Sequence, residues 1–528
     1  MAVTYSTDGI IATFTGGSGE TLSESTADLS GATVAIIVGY SSIGIRAFSY
    51  ASALTSVTIP ASVTSIGERA FFRASALTSI TIPASVTSIG GNAFYGASAL
   101  TTVTFDAHSS LTTIGNGAFW GASALTTVTF EADSSLTTIG ESAFRSASAL
   151  TSVTIPASVT SIGNYAFQST SALTSITVIP SNILYKDING VLFNKDGETT
   201  LIQYPIGNTR TTYTIPEGVI SIGANAFQSA FQSATSLTSI IIPASVTSIG
   251  GYAFDGASAL TTVTFDADSS LTSIGQRAFQ SATSLTSITI PASVTSIGAS
   301  AFLYTSALTS ITVTQPNTDY KDNDGVLFNK DGTTLIQYPI GNTRTTYAIP
   351  EGVTSIGELA FRAASALTSI TIPASVTTIG SYAFWSASAL TTVTFEADSS
   401  LTTIGFGAFF QASALTSITI PASVTSIGSY AFYGASALTT VTFEEGSSLI
   451  SISSSAFSGD SGVTTVIASQ PLINTMTWST TGHNNIGGKS GITVSTPPPT
   501  EAEAAAAELA AAAAATPICF PAGTPVTT

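Results

Sequence analysis

Cysteine, histidine and charge are all scarce in this chain. A single cysteine, Cys519, stands in 528 residues, which excludes an internal disulfide framework and leaves the redox compartment open. The two histidines, His108 and His483, are too far apart in sequence to signal a metal site by spacing, and no cofactor motif is present. Charged side chains make up 8% of the residues, with 30 acids against 13 bases and a net charge of -17. Phosphate recognition needs clustered cations, so the composition speaks against a nucleic-acid partner. No run is long and apolar enough to span a bilayer. Residues 1–15 lack the basic start and apolar core of a secretory signal, so no export route is readable.

What fills the chain instead is one phrase repeated with small edits. Residues 59–81 read IPASVTSIGERAFFRASALTSIT, and the Ala-Phe pair recurs fifteen times from Phe48 to Phe457, most steps being 23 or 25 residues. The apolar positions Val63, Ile66, Ala70, Phe71, Leu77, Ile80 and Ile82 fit neither one long helix nor one long strand. They fit a coil: a short strand SVTSI, the glycine Gly67, a bend carrying Ala-Phe, and a second strand LTSITI closed by Pro83. A single coil cannot bury its apolar set, so stacking is required and the phenylalanines are expected to form an internal column. The 25-residue form replaces IPASV with a loop such as FEADSSL at Phe130 to Leu136, where a turn absorbs two residues.

Other segments depart from the repeat. Residues 1–40 and 463–496 are expected to cap the two ends, because an exposed coil presents apolar side chains and strand edges. Between them runs the array, 41–462. Two inserts, at about 179–216 and 314–350, share the text YKDxxGVLFNKDGxTTLIQYPIG with one residue's difference in length. Asn189-Gly190, Asp196-Gly197, Asp324-Gly325 and Asp331-Gly332 within them are hairpin-turn signals, so each insert is expected to continue the stack as hairpins. Residues 497–516 form a Pro/Ala-rich linker. Thr500 and Glu503 make a capping box for an alanine helix from Glu501 to Ala515, which lacks an amphipathic face and reads as a spacer.

Candidate functional residues lie on the second strand. With Leu54, Val57 and Ile59 inward, alternation puts Ser56 and Thr58 outward. The same outward pair recurs as Ser79 and Thr81, Thr102 and Thr104, Thr127 and Thr129, and Ser152 and Thr154, and onward to Thr440 and Thr442. Stacked coils would set these hydroxyls in files about 4.8 Å apart, interrupted at Ile241, able to hold ordered water, carbohydrate or ice. Threonine is equally a good solvent-facing strand residue with no ligand at all. The acid pairs Glu131 and Asp133, Asp266 and Asp268, Glu396 and Asp398, and Glu444 and Glu445, with Asp322-Asn323-Asp324-Gly325, have the look of calcium-loop fragments. They lack the six or more oxygens such a site needs, so turn chemistry is the expectation. No Ser-His-Asp or Cys-His set is present, so the array is expected to be non-catalytic.

The phrase SVTSIGxxAFxxxxxLTSITIP, over about residues 40–457, resembles the BspA-like class of leucine-rich repeats. The resemblance implies a mostly β, right-handed leucine-rich-repeat solenoid of 23 to 25 residue rungs with two hairpin inserts, terminal caps and the C-terminal alanine helix. It also implies adhesion or protein binding, as in surface proteins of bacteria, in protists and in large DNA viruses. A shorter stretch, PICFPAGTPVTT at 517–528, is similar to the opening of Hint domains, the self-processing module of inteins and hedgehog-type proteins. Cys519 would be the nucleophile, attacking the carbonyl of Ile518 in an N-to-S acyl shift. The histidine block and terminal His-Asn that the module needs downstream are not in this sequence, so as written it would be inert. The expectations are therefore an extracellular, cell-surface or virion-surface protein with a protein or glycan partner, or self-association. The alternatives are the passenger of an autoprocessing precursor and an ice- or crystal-binding surface.

Overall fold

The computed structural model describes residues 2–6, 10–23, 31–131, 133–195, 199–228, 237–459, 462–469, 472 and 491–497. It divides into two compact units, Met1–Thr343 and Arg344–Thr528. The alanine helix, Cys519 and its flanking residues, His483 and the Asp196-Gly197 turn lie outside the described residues.

Each unit is a parallel β-solenoid. In the coil that carries Phe71, a short strand Ser65–Ile66 leads into a turn and then a long strand Ser79–Ile82. Val63, Ile66, Ala70, Phe71, Leu77, Ile80 and Ile82 are all buried, as the apolar pattern requires. Alternation along the long strand sends Ile80 and Ile82 inward and leaves Ser79 and Thr81 exposed. Gly67 sits where the backbones of two coils meet: a Cβ there would stand 2.7 Å from the carbonyl carbon of Gly44, so no other residue fits.

Phenylalanines from successive coils stack as an internal column. In the first unit Phe48, Phe71, Phe94, Phe119, Phe144 and Phe167 follow one another at 5.1, 5.0, 5.2, 5.4 and 5.7 Å between ring centroids, with planes within 9° of parallel. In the second unit the steps from Phe361 through Phe384, Phe409 and Phe432 to Phe457 are 4.9, 4.9, 5.3 and 5.0 Å. Each ring is buried by its neighbours, a gain of about 1.5–3 kcal/mol per side chain relative to exposure.

The bend that carries these rings has its own backbone ladder. The N–H groups of Arg69, Phe71 and Arg73 donate to the carbonyls of Gly91, Ala93 and Tyr95 in the next coil, at 2.9, 2.7 and 2.7 Å. Arg69 and Arg73 take φ of 55° and 57° to aim these groups, and the corresponding positions of other coils repeat the conformation with Ser142, Ser146, Tyr382 and Ser386. A left-handed conformation costs a non-glycine residue about 1–2 kcal/mol, which the ladder offsets.

Both inserts are hairpins. Tyr185–Ile188 pairs antiparallel with Val191–Asn194, which pairs antiparallel with Thr199–Gln203, which in turn pairs parallel with Val219–Ile222 of the short-strand sheet. Asn189 and Gly190 have φ of 53° and 81°, and Asp324 and Gly325 of the second insert 52° and 79°, as a two-residue hairpin turn requires. The first insert also holds a coil that the Ala-Phe pair does not reveal. Tyr204 of QYPIG donates its N–H to Ala226 at 2.9 Å, and its ring lies 5.3 Å from Phe227, so a tyrosine stands in the phenylalanine column. Burial, against the opposing effect of the nearby Arg210 charge, pushes its hydroxyl up to about 12.

The hairpins close off the long-strand sheet. At its last strand before each insert, Val178 N–H donates to Asp187 Oδ1 and Val313 N–H to Asp322 Oδ1, both at 2.8 Å. A strand edge that would otherwise be open is thereby paired. Asp322, the first residue of the stretch that resembles a calcium-loop fragment, accepts this bond.

One expectation needs correcting: the long strands do not form an unbroken file. In the first unit they fall into separate sheets that end at Ser56–Thr58, Ser175–Val178, Thr262–Phe265 and Ser310–Val313. A proline follows the next long strand at two of these breaks. Where the residue after a strand has an N–H, it donates back to the preceding coil, as Asp106 does to Ile82 (3.0 Å), Asp266 to Ile242 (3.1 Å) and Thr314 to Ile290 (2.8 Å). Pro83, facing the strand that ends at Thr58, and Pro291, facing Phe265, have no N–H to give, but neither do Pro60, Pro156, Pro243 and Pro373, whose strands stay paired with the preceding coil, so a missing donor does not by itself break the ladder. The second unit's sheet is likewise split between Thr392–Phe395 and Ser417–Ile420, where Pro421 faces Phe395. The shortened ladder between Thr102–Phe105 and Thr127–Val128 has no proline to explain it.

At the start of the first unit Ala2–Tyr5 pairs antiparallel with Ile11–Thr15, which runs parallel to Val34–Val38 and so continues the long-strand sheet. In the second unit Thr465–Ile467 and Thr493–Ser495 extend the sheet in the same way.

Candidate functional site

Strand alternation places the ten candidate hydroxyl residues on one side of the long strands. Thr58, Ser79, Thr81, Thr102, Thr104, Thr127, Thr129 and Ser152 are exposed, and Ser56 and Thr154 are partly so. Register is kept within a sheet: Ser79 lies beside Thr102, Thr102 beside Thr127, and Thr127 beside Ser152, while Thr81 lies beside Thr104. Ser56 and Thr58 belong to a different sheet from Ser79 and Thr81, so the structure does not bring those two pairs into one ladder.

Not every surface hydroxyl is available. In successive coils the threonine one position earlier is consumed by the fold: Thr78, Thr101, Thr126 and Thr151 donate Oγ1 to the carbonyls of Thr55, Thr78, Thr101 and Thr126, at 3.2, 2.9, 3.2 and 3.2 Å. A second such file precedes the short strand, where Thr87, Thr112 and Thr137 donate to Thr64, Thr87 and Thr112 at 3.1, 3.0 and 3.0 Å. Serines do the same in the loop, as when Ser85 reaches Val63 at 2.6 Å. Sequence alone shows Leu-Thr-Ser/Thr-Val/Ile-Thr and cannot say which hydroxyl faces a carbonyl.

The acid pairs also serve the fold. Asp266 Oδ2 accepts the N–H of Ala244 at 3.2 Å, Glu396 Oε2 that of Ala374 at 3.4 Å, Glu444 Oε2 that of Ala422 at 3.0 Å and Glu131 Oε2 that of His108 at 3.2 Å. Each carboxylate thus satisfies a loop donor in the preceding coil. Glu396 in addition raises the ionisation point of the exposed Glu351 by like-charge repulsion. Stacking brings together one set that sequence spacing kept apart: His108 Nδ1 lies 3.7 Å from Asp133 Oδ2, with Glu131 beside them. All three are exposed, and the arrangement offers a surface ion pair rather than a closed ligand set.

On the bend side lies a feature not anticipated above. The residue after each column phenylalanine is often aromatic, and these form a second, outer row. Phe72 stacks on Tyr95 at 4.9 Å, Tyr95 meets Trp120 edge-on at 5.3 Å, and the Arg145 guanidinium lies 4.7 Å from the Trp120 ring. In the second unit Trp385, Phe410 and Tyr433 form the row, with Arg362 3.8 Å from Trp385. AFF, AFY and AFW in the sequence were the available signal.

Coils of one short and one long parallel strand, with a shared column and threonine ladders between them, define a leucine-rich-repeat solenoid. The family model for the BspA type leucine rich repeat region matches residues 41–174, 204–324 and 341–473 in six copies, and the chain belongs to that family. The matched residues end before Cys519. Among solved structures, a leucine rich cell surface protein from Faecalibacterium prausnitzii is 27% identical, with 75% of this chain and 92% of that one covered and a TM-score of 0.41. A leucine-rich repeat protein from Eubacterium ventriosum is 24% identical, with 81% and 91% covered and a TM-score of 0.45. The pneumococcal vaccine antigen PcpA is 20% identical, with 60% and 99% covered and a TM-score of 0.43. The comparison with curated proteins found no match. Among the described residues no helix is long and apolar enough to cross a membrane.

Proposed function

We propose that the chain is a non-catalytic binding protein displayed outside the cell, and that it holds a protein or glycan partner on the outward face of its long strands. One observation carries this reading: Ser79, Thr81, Thr102 and Thr104 are exposed and in register, while the adjacent Thr78 and Thr101 already satisfy the backbone. Farther along the file Thr289 and Thr312 spend their hydroxyls on each other at 2.9 Å, whereas these four outer hydroxyls are spent on no carbonyl, yet they repeat. A weakly charged, hydroxyl-rich sheet suits neutral polar partners better than charged ones. Self-association through the same face is the closest rival, and ice binding is weaker, because the sheet is cut into short pieces where a crystal surface needs a long one.

The test uses the labelled full chain on mammalian cells, immobilised extracellular-matrix proteins and a glycan array, with sedimentation to detect self-association. The paired substitution Thr81→Arg with Thr104→Arg, at exposed sites, is expected to weaken binding by about tenfold or more without changing the melting temperature. Retention by no surface in the panel, or unchanged binding by the double variant, would count against the outward face.

A further inference from the structure

The broken ladder at Phe265 leaves a cleft in the first unit. Pro291, which cannot donate to Phe265, and the longer DADSSL loop after Phe265 flank it. The long strands Thr262–Phe265 and Ser287–Ile290 lie in different sheets, and at their ends the loop after Phe265, Thr289, the loop at 291–293 and Thr314 line a volume of about 720 Å³. Small-molecule sites fall in the range of about 300–1,000 Å³, so the cleft is large enough for an oligosaccharide of two or three rings.

Its lining has a definite chemistry. Phe265, half-buried, and Pro291 supply apolar walls; Asp266 and Asp268 supply carboxylates; Thr264 supplies a hydroxyl from the candidate face, and Thr289 a second that it shares with Thr312 at 2.9 Å. No lysine or arginine lines the cleft, which disfavours an anion. Apolar walls contribute nothing to a bare cation, and Asp266 Oδ2 already accepts the Ala244 N–H. An aromatic face with carboxylate acceptors beside it suits a neutral pyranose, whose C–H groups pack on the ring and whose vicinal hydroxyls donate to the carboxylates. The second unit repeats the essentials: Phe395 is half-buried, Glu396 and Asp398 follow it, and the sheet lapses opposite Pro421.

We propose that the cleft bounded by Phe265, Asp266, Asp268, Thr289 and Pro291 is a binding site for a neutral oligosaccharide, and that Phe395 with Asp398 marks its second copy. The proposal rests on the binding role given above and assigns that role a place and a ligand class. The site needs no metal ion.

The probes are cellotriose, xylotriose, maltotriose and triacetylchitotriose, each added to the full chain and followed by saturation-transfer NMR and titration calorimetry, with and without EDTA. Binding of at least one is expected, unaffected by EDTA. It should fall by about tenfold in Asp268→Asn and Phe265→Leu, and become undetectable when Asp398→Asn and Phe395→Leu are added, while thermal melts show the variants folded. No binding of any probe, binding lost with EDTA, or binding unchanged in the folded variants would each overturn the site. If the labelled chain still attaches to cells while all four sugars fail, the site falls and the surface role stands. If a sugar binds at the cleft and no surface retains the chain, the surface role falls and the site stands.

Discussion

The two sides of a coil solve the same stacking problem with different backbones. On the long-strand side the residues are extended, alternate in and out, and bond through a parallel ladder that lapses at some coils. On the bend side the chain carries left-handed residues such as Arg69 and Arg73, whose N–H groups reach the next coil, and that ladder continues beside Pro291: Phe254 donates to Ala278 and Phe279 to Ala301, at 2.7 and 2.9 Å. The stack can therefore open a cleft on one side because the other side, with its aromatic column, holds the coils together. Variation in surface is tolerated where the ladder is dispensable, and uniformity is required where the rings pack.

Substitutions should rank accordingly. Phe119→Ala, in the middle of the column with Phe94 and Phe144 at 5.2 and 5.4 Å, is expected to cost about 3–5 kcal/mol, read by urea denaturation. A loss as small as that of a surface change would break the distinction between the sides. Gly90→Ala would put a methyl 2.6 Å from the backbone nitrogen of Glu68, where neither chain can yield, and about 1–3 kcal/mol should be lost in thermal melts.

Smaller effects separate the two kinds of hydroxyl. Thr101→Val removes a 2.9 Å bond to the carbonyl of Thr78 and should cost about 0.5–1.5 kcal/mol, whereas Thr104→Val, at an outward position, should change the melting free energy by no more than about 0.5 kcal/mol. Equal effects would dissolve the division between structural and free files. Ser281→Gly, at φ of 57°, should stabilise the first unit by about 0.5–1 kcal/mol if left-handed strain on the bend side is real, read as a raised melting temperature.

The inserts add a pH-dependent contrast with the regular coils. Tyr204, raised by burial to about 12, favours the neutral form when folded, so its contribution is complete below the ordinary tyrosine value near 10 and is lost as pH rises from 10 towards 12. Alkaline melts of Tyr204→Phe should lack the part of the decline that the parent shows across that window.

Much of the architecture was legible because its cause is local. A period of 23 or 25 residues, the glycine of SIG and the Ala-Phe pair make stacking the one way to bury Phe71 and Ile80, and Asn189-Gly190 and Asp324-Gly325 spell their own turns. The column's tyrosine was hidden because Tyr-Pro replaces Ala-Phe in QYPIG, although the pattern of bonds is the same. The candidate site was legible in direction and not in extent. Alternation put Thr81 and Thr104 outward, yet Pro291 and Pro421 stand at splits in the sheet while Pro243 and Pro373, in the same place in their coils, follow strands that stay paired, so the extent of each sheet is not readable from the sequence.

By itself the sequence determined the repeat, the inward set and the outward set, because strand alternation and burial act within one coil. Only the tertiary structure decided which threonines are spent on carbonyls, which strand ends lose their ladder, and that the acids serve loop donors. Those outcomes depend on what lies in the next coil about 5 Å away, and neighbours separated by 23 or 25 residues meet only once the chain has stacked.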